Sequence, residues 1–420
     1  MALTDLIDEF SWRGLIHQST DETALRAHLA TKRRVYVGLD PSADSLTIGN
    51  LVTLMMLAHA QRCGHEAVVV AGGGTGVVGD PSGKSSERPL LSMETIEANV
   101  ESQRRIYDAL LPEALIVNNA HWLMPLGFLD VLRDVGKYFS VNEMLRRDSV
   151  KSRLDGDGMS YTEFSYMLLQ AYDFNHLYRT MGVTLQMGGS DQWGNIVSGI
   201  DLIRRTSDGQ AFALTCPLIT KADGGKFGKS ESGAIWLTAD RTSPYAFHQF
   251  WLNTSDADVI GFLRIFTFLG RVEIESLASE VATNPGGRVA QLTLADDVTA
   301  RLHGTEATSR AKAAAKALFT GDVAGLDEST IREVFADVPS ARFTKQQLHN
   351  GIDLVSVLTD SGLAKSKREA REFIGNGSVL INGNKATDEG PITADMLLHG
   401  NTMLLRRGKK SWCVTTWEDV

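Results

Sequence analysis

Three short stretches hold the residues best suited to chemistry. In Gly224-Gly-Lys-Phe-Gly-Lys-Ser230, Lys226 and Lys229 stand three apart. An ammonium group is a compact point charge, able to stabilise negative charge on a departing phosphate chain. Taken alone, such a string also describes a solvated surface loop. In Asp40-Pro-Ser-Ala-Asp-Ser-Leu-Thr-Ile-Gly-Asn50, small polar side chains lead into the first turn of an expected helix. Free backbone N–H groups there suit an anion, and Gly49 lets a flat ring approach the backbone. The alternative is an ordinary capped helix with Asp44 or Ser45 as N-cap. The third stretch, Gly74-x-Gly76-x-x-Gly79, has the spacing of a dinucleotide fingerprint, but Pro81 and Gly83 follow where that fingerprint needs a helix. Residues 79–85 imitate a phosphate loop and miss it by one position, at Val78.

The elements that must carry these residues are those of an open α/β domain. Residues 34–39 and 67–71 read as buried strands. Leu51, Leu54, Met55 and Ala58 between them have helical spacing, which makes a βαβ unit and predicts a parallel sheet. The pattern returns with strands at 183–187 and 212–219 around a helix at 192–205. Helices are expected at 95–110, 131–153 and 161–177. Residues 244–319 read as helical, 320–342 as a polar linker, and 343–420 as two helices with a hairpin at 379–384. The predicted division is a catalytic domain over 1–230, a helical domain over 231–320, a linker over 321–342 and a small α+β domain over 343–420.

Composition narrows the class. The 420 residues are 43% hydrophobic and 22% charged, as in an ordinary globular chain. No apolar run reaches the roughly 18 residues of a membrane span. Neither a signal nor a transit peptide is expected. Cys63, Cys216 and Cys413 are far apart and odd in number, which argues for a reducing compartment such as the cytoplasm and against a structural zinc site. No histidine has metal-ligand spacing. The formal charge of −9 is unevenly spread. Residues 343–420 hold 10 Lys+Arg against 9 Asp+Glu, a balance of +1, and the remainder carries 32 − 42 = −10.

Together these strings resemble the class I aminoacyl-tRNA synthetases, and closely the bacterial tyrosyl-tRNA synthetases. Ser45-Leu-Thr-Ile-Gly-Asn50 stands where the class has its HIGH signature, and Lys226-Phe-Gly-Lys-Ser230 where it has KMSKS. Gly79-Asp-Pro-Ser-Gly83, Glu163-Phe-Ser-Tyr166, Gln170-Ala-Tyr-Asp173 and Gly188-Gly-Ser-Asp-Gln-Trp-Gly-Asn195 are family strings too. The resemblance spans residues 12–417. It implies a Rossmann-like, doubly wound parallel sheet with a helical insertion, then an α-helical domain and a small RNA-binding domain of the S-four type.

The resemblance also implies an activity. Tyrosine is activated with ATP, accompanied by Mg2+, to tyrosyl-adenylate, then passed to the 3′ end of tRNA(Tyr) by a cytoplasmic homodimer. Tyr36 and Asp173 would hydrogen-bond the phenolic hydroxyl, with Gln186 in the same pocket. Asp80, Tyr166 and Gln170 would hold the α-ammonium. Rejection of phenylalanine by such polar partners has this enzyme family as its standard illustration. Asp40, Gly49, Asn50, Gly189, Asp191, Gln192, Leu218 and Ile219 would line the ATP site. Ser42, Thr47, Asn50, Lys226, Lys229 and Ser230 would stabilise the reacting phosphates, with Lys84 and Arg88 as further candidates. No metal-binding or organic-cofactor residue is implied. The apolar stretch 128–144 would form the dimer contact.

One departure falls at the centre of the site: the two histidines of HIGH are Thr47 and Asn50 here. Asn keeps a side-chain donor, whereas Thr is shorter and neutral. Losing one transition-state donor typically costs around 10²–10³ in rate. Two other readings therefore stand beside the ligase: an RNA-binding paralogue without ligation, and a tryptophan-specific relative. The Tyr36 and Asp173 pair favours a phenol over an indole, and Pro81 counts against an NAD-dependent oxidoreductase. In the tail, Lys365, Lys367, Arg368 and Arg371 on one helix, with Arg406, Arg407, Lys409 and Lys410, would contact RNA. Arg146, Arg147, Lys151 and Arg153, or Arg204 and Arg205, would meet the acceptor stem if they are not simply solvated faces. Trp122, Trp251 and Trp412 read as core or interface residues.

Overall fold

The structure is a computed structural model. It describes residues 3–82, 90–154, 158–222, 224–225, 227–230, 233–320, 323, 325–335, 338–386, 390–408 and 411–419, with backbone alone for 148, 149, 152, 229, 230 and 319. Lys84, Arg88, Lys226, Lys409 and Lys410 lie outside the described residues, as do the side chains of Lys229 and Ser230. The chain forms two compact units, Met1–Thr242 with Phe250–Leu302, and Ser243–Gln249 with His303–Val420.

The first unit is built on a six-stranded sheet. Its strands are β1 (Gln18–Ser19), β2 (Arg34–Leu39), β3 (Glu66–Ala71), β4 (Leu115–Asn118), β5 (Val183–Gly189) and β6 (Phe212–Cys216), in the order β1-β6-β5-β2-β3-β4. All neighbours run parallel except β1, which is antiparallel to β6 at the edge. Val35, Val37, Val68, Val69, Leu185 and Leu214 are buried, the near-continuous apolar content that a sheet covered on both faces requires. Helix Ile48–Arg62 makes the β2–β3 crossover, and helices Tyr161–Met181 and Trp193–Ser207 lie around β5. Strand order reverses between β2 and β5, the switch point at which doubly wound sheets open a crevice for ligands.

The insertion departs from the single helix expected at 131–153. It is a chain of short turns: Phe128–Asp130, a π turn at Val131–Val135, a 3-10 turn at Gly136–Tyr138, then Val141–Leu145 and Asp148–Leu154. Extended Phe139 and Ser140 break the helical ladder. The expected N-cap also moves. Thr47 caps helix Ile48–Arg62, while Asp44 pairs with Arg241 and the Ser45 hydroxyl accepts from Thr238.

In the second unit a five-stranded sheet joins β9 (Ser340–Thr344), β10 (Val379–Ile381), β11 (Asn384–Lys385), β12 (Thr402–Arg407) and β13 (Ser411–Glu418) in the order β11-β10-β12-β13-β9. Period-two alternation splits β12 and β13 between two cores. Met403, Leu405, Cys413 and Trp417 pack with helices Leu354–Asp360 and Lys367–Gly375. Leu404, Trp412 and Val414 pack with Ile331 and Phe335. The stretch expected as a linker therefore carries helix Glu328–Val334 and most of β9. Its helix is capped by Asp327, which accepts the Thr330 N–H at 2.8 Å.

Arg153, considered above as an RNA contact, is buried instead. Its guanidinium donates to both oxygens of Glu163, at 2.9 and 2.8 Å, and both side chains are at most 6% exposed. Removing one partner strands the other as a buried charge. Arg153→Ala should lower stability by about 3–5 kcal/mol in urea unfolding. A loss below about 1 kcal/mol, the range of surface pairs, would exclude a structural role for this pair.

Candidate active site

The C-terminal ends of β2, β3 and β5 meet at one cavity of about 470 Å³. Sixteen of the site residues implied by the resemblance line it: Tyr36, Asp40, Ser42, Thr47, Gly49, Asn50, Asp80, Tyr166, Gln170, Asp173, Gln186, Gly189, Asp191, Gln192, Leu218 and Ile219. They come from separate elements, so only the fold brings them together.

At one end, β2 presents Tyr36 and β5 presents Gln186 at the position paired with it. The Tyr36 hydroxyl and the Gln186 Oε1 are buried and have no hydrogen-bond partner among the described residues. Buried polar atoms in a native protein are nearly always satisfied, so two orphans lining one cavity mark a place for a polar ligand group. Asp173, from helix Tyr161–Met181, stands beside them, and burial pushes its carboxyl up to about 7. Two donors oppose that rise: Asn119 Nδ2 at 2.8 Å and Trp122 Nε1 at 2.7 Å. Burial, with the nearby Asp173 charge, also holds the Tyr36 phenol well above its ordinary range.

Sequence reasoning missed the roles of Asn119 and Trp122. Trp122 was expected as core or interface, but its indole N–H orients Asp173 while its ring stacks on His176 at 4.6 Å. Neither residue belongs to a spaced motif with Asp173.

A hydrogen-bond chain runs from this end toward the phosphate-friendly helix start. Asn119 Nδ2 also donates to Thr75 Oγ1 at 2.9 Å, and Thr75 donates to Asp40 Oδ1 at 2.7 Å. The Tyr166 hydroxyl donates to the other Asp40 oxygen at 2.8 Å. A Cβ on Gly72 would lie 2.2 Å from Asp40 Oδ1, so a side chain there would displace the carboxylate. Asp80 accepts from the Ser82 N–H and from Gln192 Nε2, at 2.9 and 2.7 Å. Gln170 bridges Gln192 and Asn195. The Gly74–Gly79 stretch forms a 3-10 turn at Thr75–Val77 rather than a helix, so it does not form a dinucleotide fingerprint.

At the helix start the two signature positions hold each other. Asn50 Oδ1 accepts from the Thr47 N–H at 3.1 Å and from the Thr47 hydroxyl at 2.9 Å, leaving the Asn50 amide N–H₂ as a donor. The lysine-bearing segment is fastened to the same place. The Ile48 N–H donates to Ile235 O at 2.9 Å, the Leu237 N–H to Leu46 O at 2.8 Å, and the Ile235 N–H to Gly228 O at 3.1 Å. Gly228 has φ +82°, and a Cβ on it would sit 2.6 Å from Ile48 Cγ2. Glycine meets both demands there.

In the second unit Lys365, Lys367, Arg368 and Arg371 are all exposed on or beside helix Lys367–Gly375, whose buried face carries Ala370 and Ile374. Arg406 and Arg407 do not form the single cluster expected, because successive strand residues face opposite ways. Arg406 stacks on Trp412 at 5.1 Å. Arg407 stacks on Phe373 at 4.9 Å and donates to Leu363 O at 2.8 Å. Among the described residues, no group of three or more His, Cys, Asp or Glu side chains could hold a metal ion.

Comparison with known proteins places the chain among the tRNA synthetases. The family model described as tRNA synthetases class I (W and Y) matches residues 29–320, and that of the tyrosine–tRNA ligase SYY-like C-terminal domain matches residues 330–415. The chain is 49% identical to the tyrosine–tRNA ligase of Geobacillus stearothermophilus, over 97% of this chain and 98% of that one. It is also 49% identical to the tyrosine–tRNA ligase of Roseiflexus castenholzii, over 98% and 99%. The solved structure of a C-terminally truncated mitochondrial tyrosyl-tRNA synthetase from Aspergillus nidulans matches with a TM-score of 0.69 at 30% identity, covering 75% of this chain and 94% of that one.

The raised Asp173 value has a measurable sign. The folded value, about 7, lies above the ordinary 3.8, so protonation favours the fold at low pH. That contribution is lost as pH rises from the ordinary value through 7. Urea unfolding of the protein and of Asp173→Asn should show the difference moving in favour of the variant between pH 5 and pH 8. A difference that stays flat with pH would refute the raised value.

Proposed function

This chain belongs to the class I tRNA synthetases of the tryptophan and tyrosine group and acts as a tyrosine–tRNA ligase that uses ATP, and from that premise we propose how its residues divide the work. The observation that carries the proposal is the orphaned Tyr36 hydroxyl beside buried Asp173, both lining one cavity. A phenolic hydroxyl entering there donates to Asp173 and accepts from Tyr36. An indole has no hydroxyl for this pair, and phenylalanine leaves the Tyr36 hydroxyl unpaired.

With the ring so placed, Asp80, Tyr166 and Gln170 receive the α-ammonium. The substrate carboxylate is then turned toward the start of helix Ile48–Arg62. One of its oxygens attacks the α-phosphorus of ATP, a new P–O bond forms, and the bond to the bridging oxygen breaks as pyrophosphate leaves. No general base is needed, since the carboxylate is already ionised. Catalysis rests on positioning and on charge stabilisation by Ser42, Thr47, Asn50, Lys226, Lys229 and Ser230. Gly49, Gly189, Asp191, Gln192, Leu218 and Ile219 hold the nucleotide, and Mg2+ arrives with the ATP phosphates. A ribose hydroxyl of the tRNA 3′ end then attacks the adenylate carbonyl and releases AMP.

Adenylate chemistry is assigned to residues 1–230 and RNA contact to 343–420, with Lys365, Lys367, Arg368 and Arg371 as the principal cations. We place the enzyme in the cytoplasm, in keeping with three buried free cysteines. Among the described residues, no helix is long and apolar enough to cross a membrane. A homodimer is proposed through the insertion, where Phe128 and Leu129 are 69% and 76% exposed.

Tyrosine-dependent ATP–pyrophosphate exchange should be present and tryptophan-dependent exchange absent; the reverse pattern would overturn the substrate. Tyr36→Phe should cut discrimination of tyrosine over phenylalanine by about tenfold, the value of one neutral hydrogen bond. An unchanged ratio would remove Tyr36 from the recognition. For the tail, side-chain changes are preferable to truncation at 343, which would cut through β9. Lys367→Ala with Arg371→Ala should leave exchange within about twofold. It should weaken tRNA binding and lower its salt slope by about one per lost phosphate contact. Unaltered tRNA affinity would refute this helix as the RNA contact.

A further inference from the structure

Phe227 sits between the two signature lysines in sequence and was assigned no role above. Its ring lies among four other aromatic rings of the first unit. Phe262 is 5.0 Å away and Phe266 5.5 Å between centroids, with Phe250 and Trp251 each at 6.0 Å. Trp251 and Phe266 are fully buried, so the ring is held by a rigid part of the core. Phe227 also lines the cavity. The next residue, Gly228, presses against Ile48 at the start of the cavity's helix, and the one after it, Lys229, opens β7 (Lys229–Ser230), paired with β8 (Gly233–Ala234). The backbone that carries Lys229 is thus fixed at two points: an aromatic anchor and a glycine contact.

We infer that Phe227 is a positioning residue for the activation step, acting by setting where Lys229 meets the ATP phosphates. Aromatic contacts of this kind add to the stabilisation from burial, enough to decide where a short segment rests. Misplacing a phosphate-binding charge by about 1 Å can cost up to about a hundredfold in rate. The inference rests on the proposed role of Lys229 and extends it to a residue with no polar atom in its side chain.

The test is steady-state pyrophosphate exchange with a separate measurement of tyrosine Kd. Lys229→Ala comes first and should depress exchange; if it does not, both its own role and this inference fall. Phe227→Ala should raise the ATP KM about tenfold while tyrosine Kd stays within about twofold. Phe227→Leu should restore most of the loss. In the Lys229→Ala background, Phe227→Ala should add less than about twofold, because the two act through one contact. Phe262→Leu, on the other side of the ring contact, should shift the ATP KM in the same direction and serves if Phe227→Ala does not fold. An impaired Lys229→Ala beside a normal Phe227→Ala would overturn the inference and spare the lysine. Equal losses in both backgrounds, with tyrosine Kd rising in step, would make Phe227 purely structural and also overturn it.

Discussion

The parallel register of β2 with its two neighbours governs the geometry of the cavity. It sets Tyr36 opposite Gln186 on one side and Val68 on the other, and it brings Leu39 level with Ala71. From that alignment Asp40, Gly72 and Gly189 all emerge at one edge of the sheet, where the strand order reverses. Because the side-chain period of a strand is two, a slip of one residue in β2 would turn Tyr36 to the other face and leave Asp173 without its neighbour. The apolar neighbours of Tyr36 resist such a slip, since Val35 and Val37 are both buried. Packing of the core and placement of the Tyr36 hydroxyl in the cavity are thus two outcomes of one pairing.

The second constraint is electrostatic. Asp40, Asp80 and Asp173 line a single cavity, and the donors described for Asp173 are neutral amide and indole groups. Neutral donors orient a carboxylate without cancelling its charge, so the interior stays hungry for protons or cations. Burial, with the Asp40 charge adding to it, raises the Asp173 value in spite of those donors, and the cavity fits a ligand with a hydroxyl at one end and an ammonium at the other. The hydrogen-bond chain through Asn119 and Thr75 ties the two ends together, so neither carboxylate can reorient alone.

Much of this was legible in the sequence, and the failures have physical causes. The βαβ unit and the lysine string were visible because periodicity and composition are local. The partners of Asp173 were invisible because β4 and the turn after it reach Asp173 only through the sheet. The insertion was read as one helix since its apolar spacing is nearly helical, whereas extended Phe139 and Ser140 interrupt the ladder. In the tail, β12 and β13 serve two cores, so both faces are apolar in part and the strand alternation was obscured. Arg153 and Arg407 were counted as surface charge, and burial or a carbonyl claims each of them. Charge counts cannot register such uses.

The mutual bond between Thr47 and Asn50 has a consequence for how this site could have arisen. Each side chain is the other's partner, so a change at one position reaches the other. A histidine placed at 47 alone would withdraw the hydroxyl that Asn50 accepts, and one at 50 alone would remove the acceptor that caps the helix. A change at either position therefore alters the hydrogen bonding of the other, although the bond from the residue-47 backbone N–H to Asn50 survives any side-chain replacement at 47 that keeps that N–H.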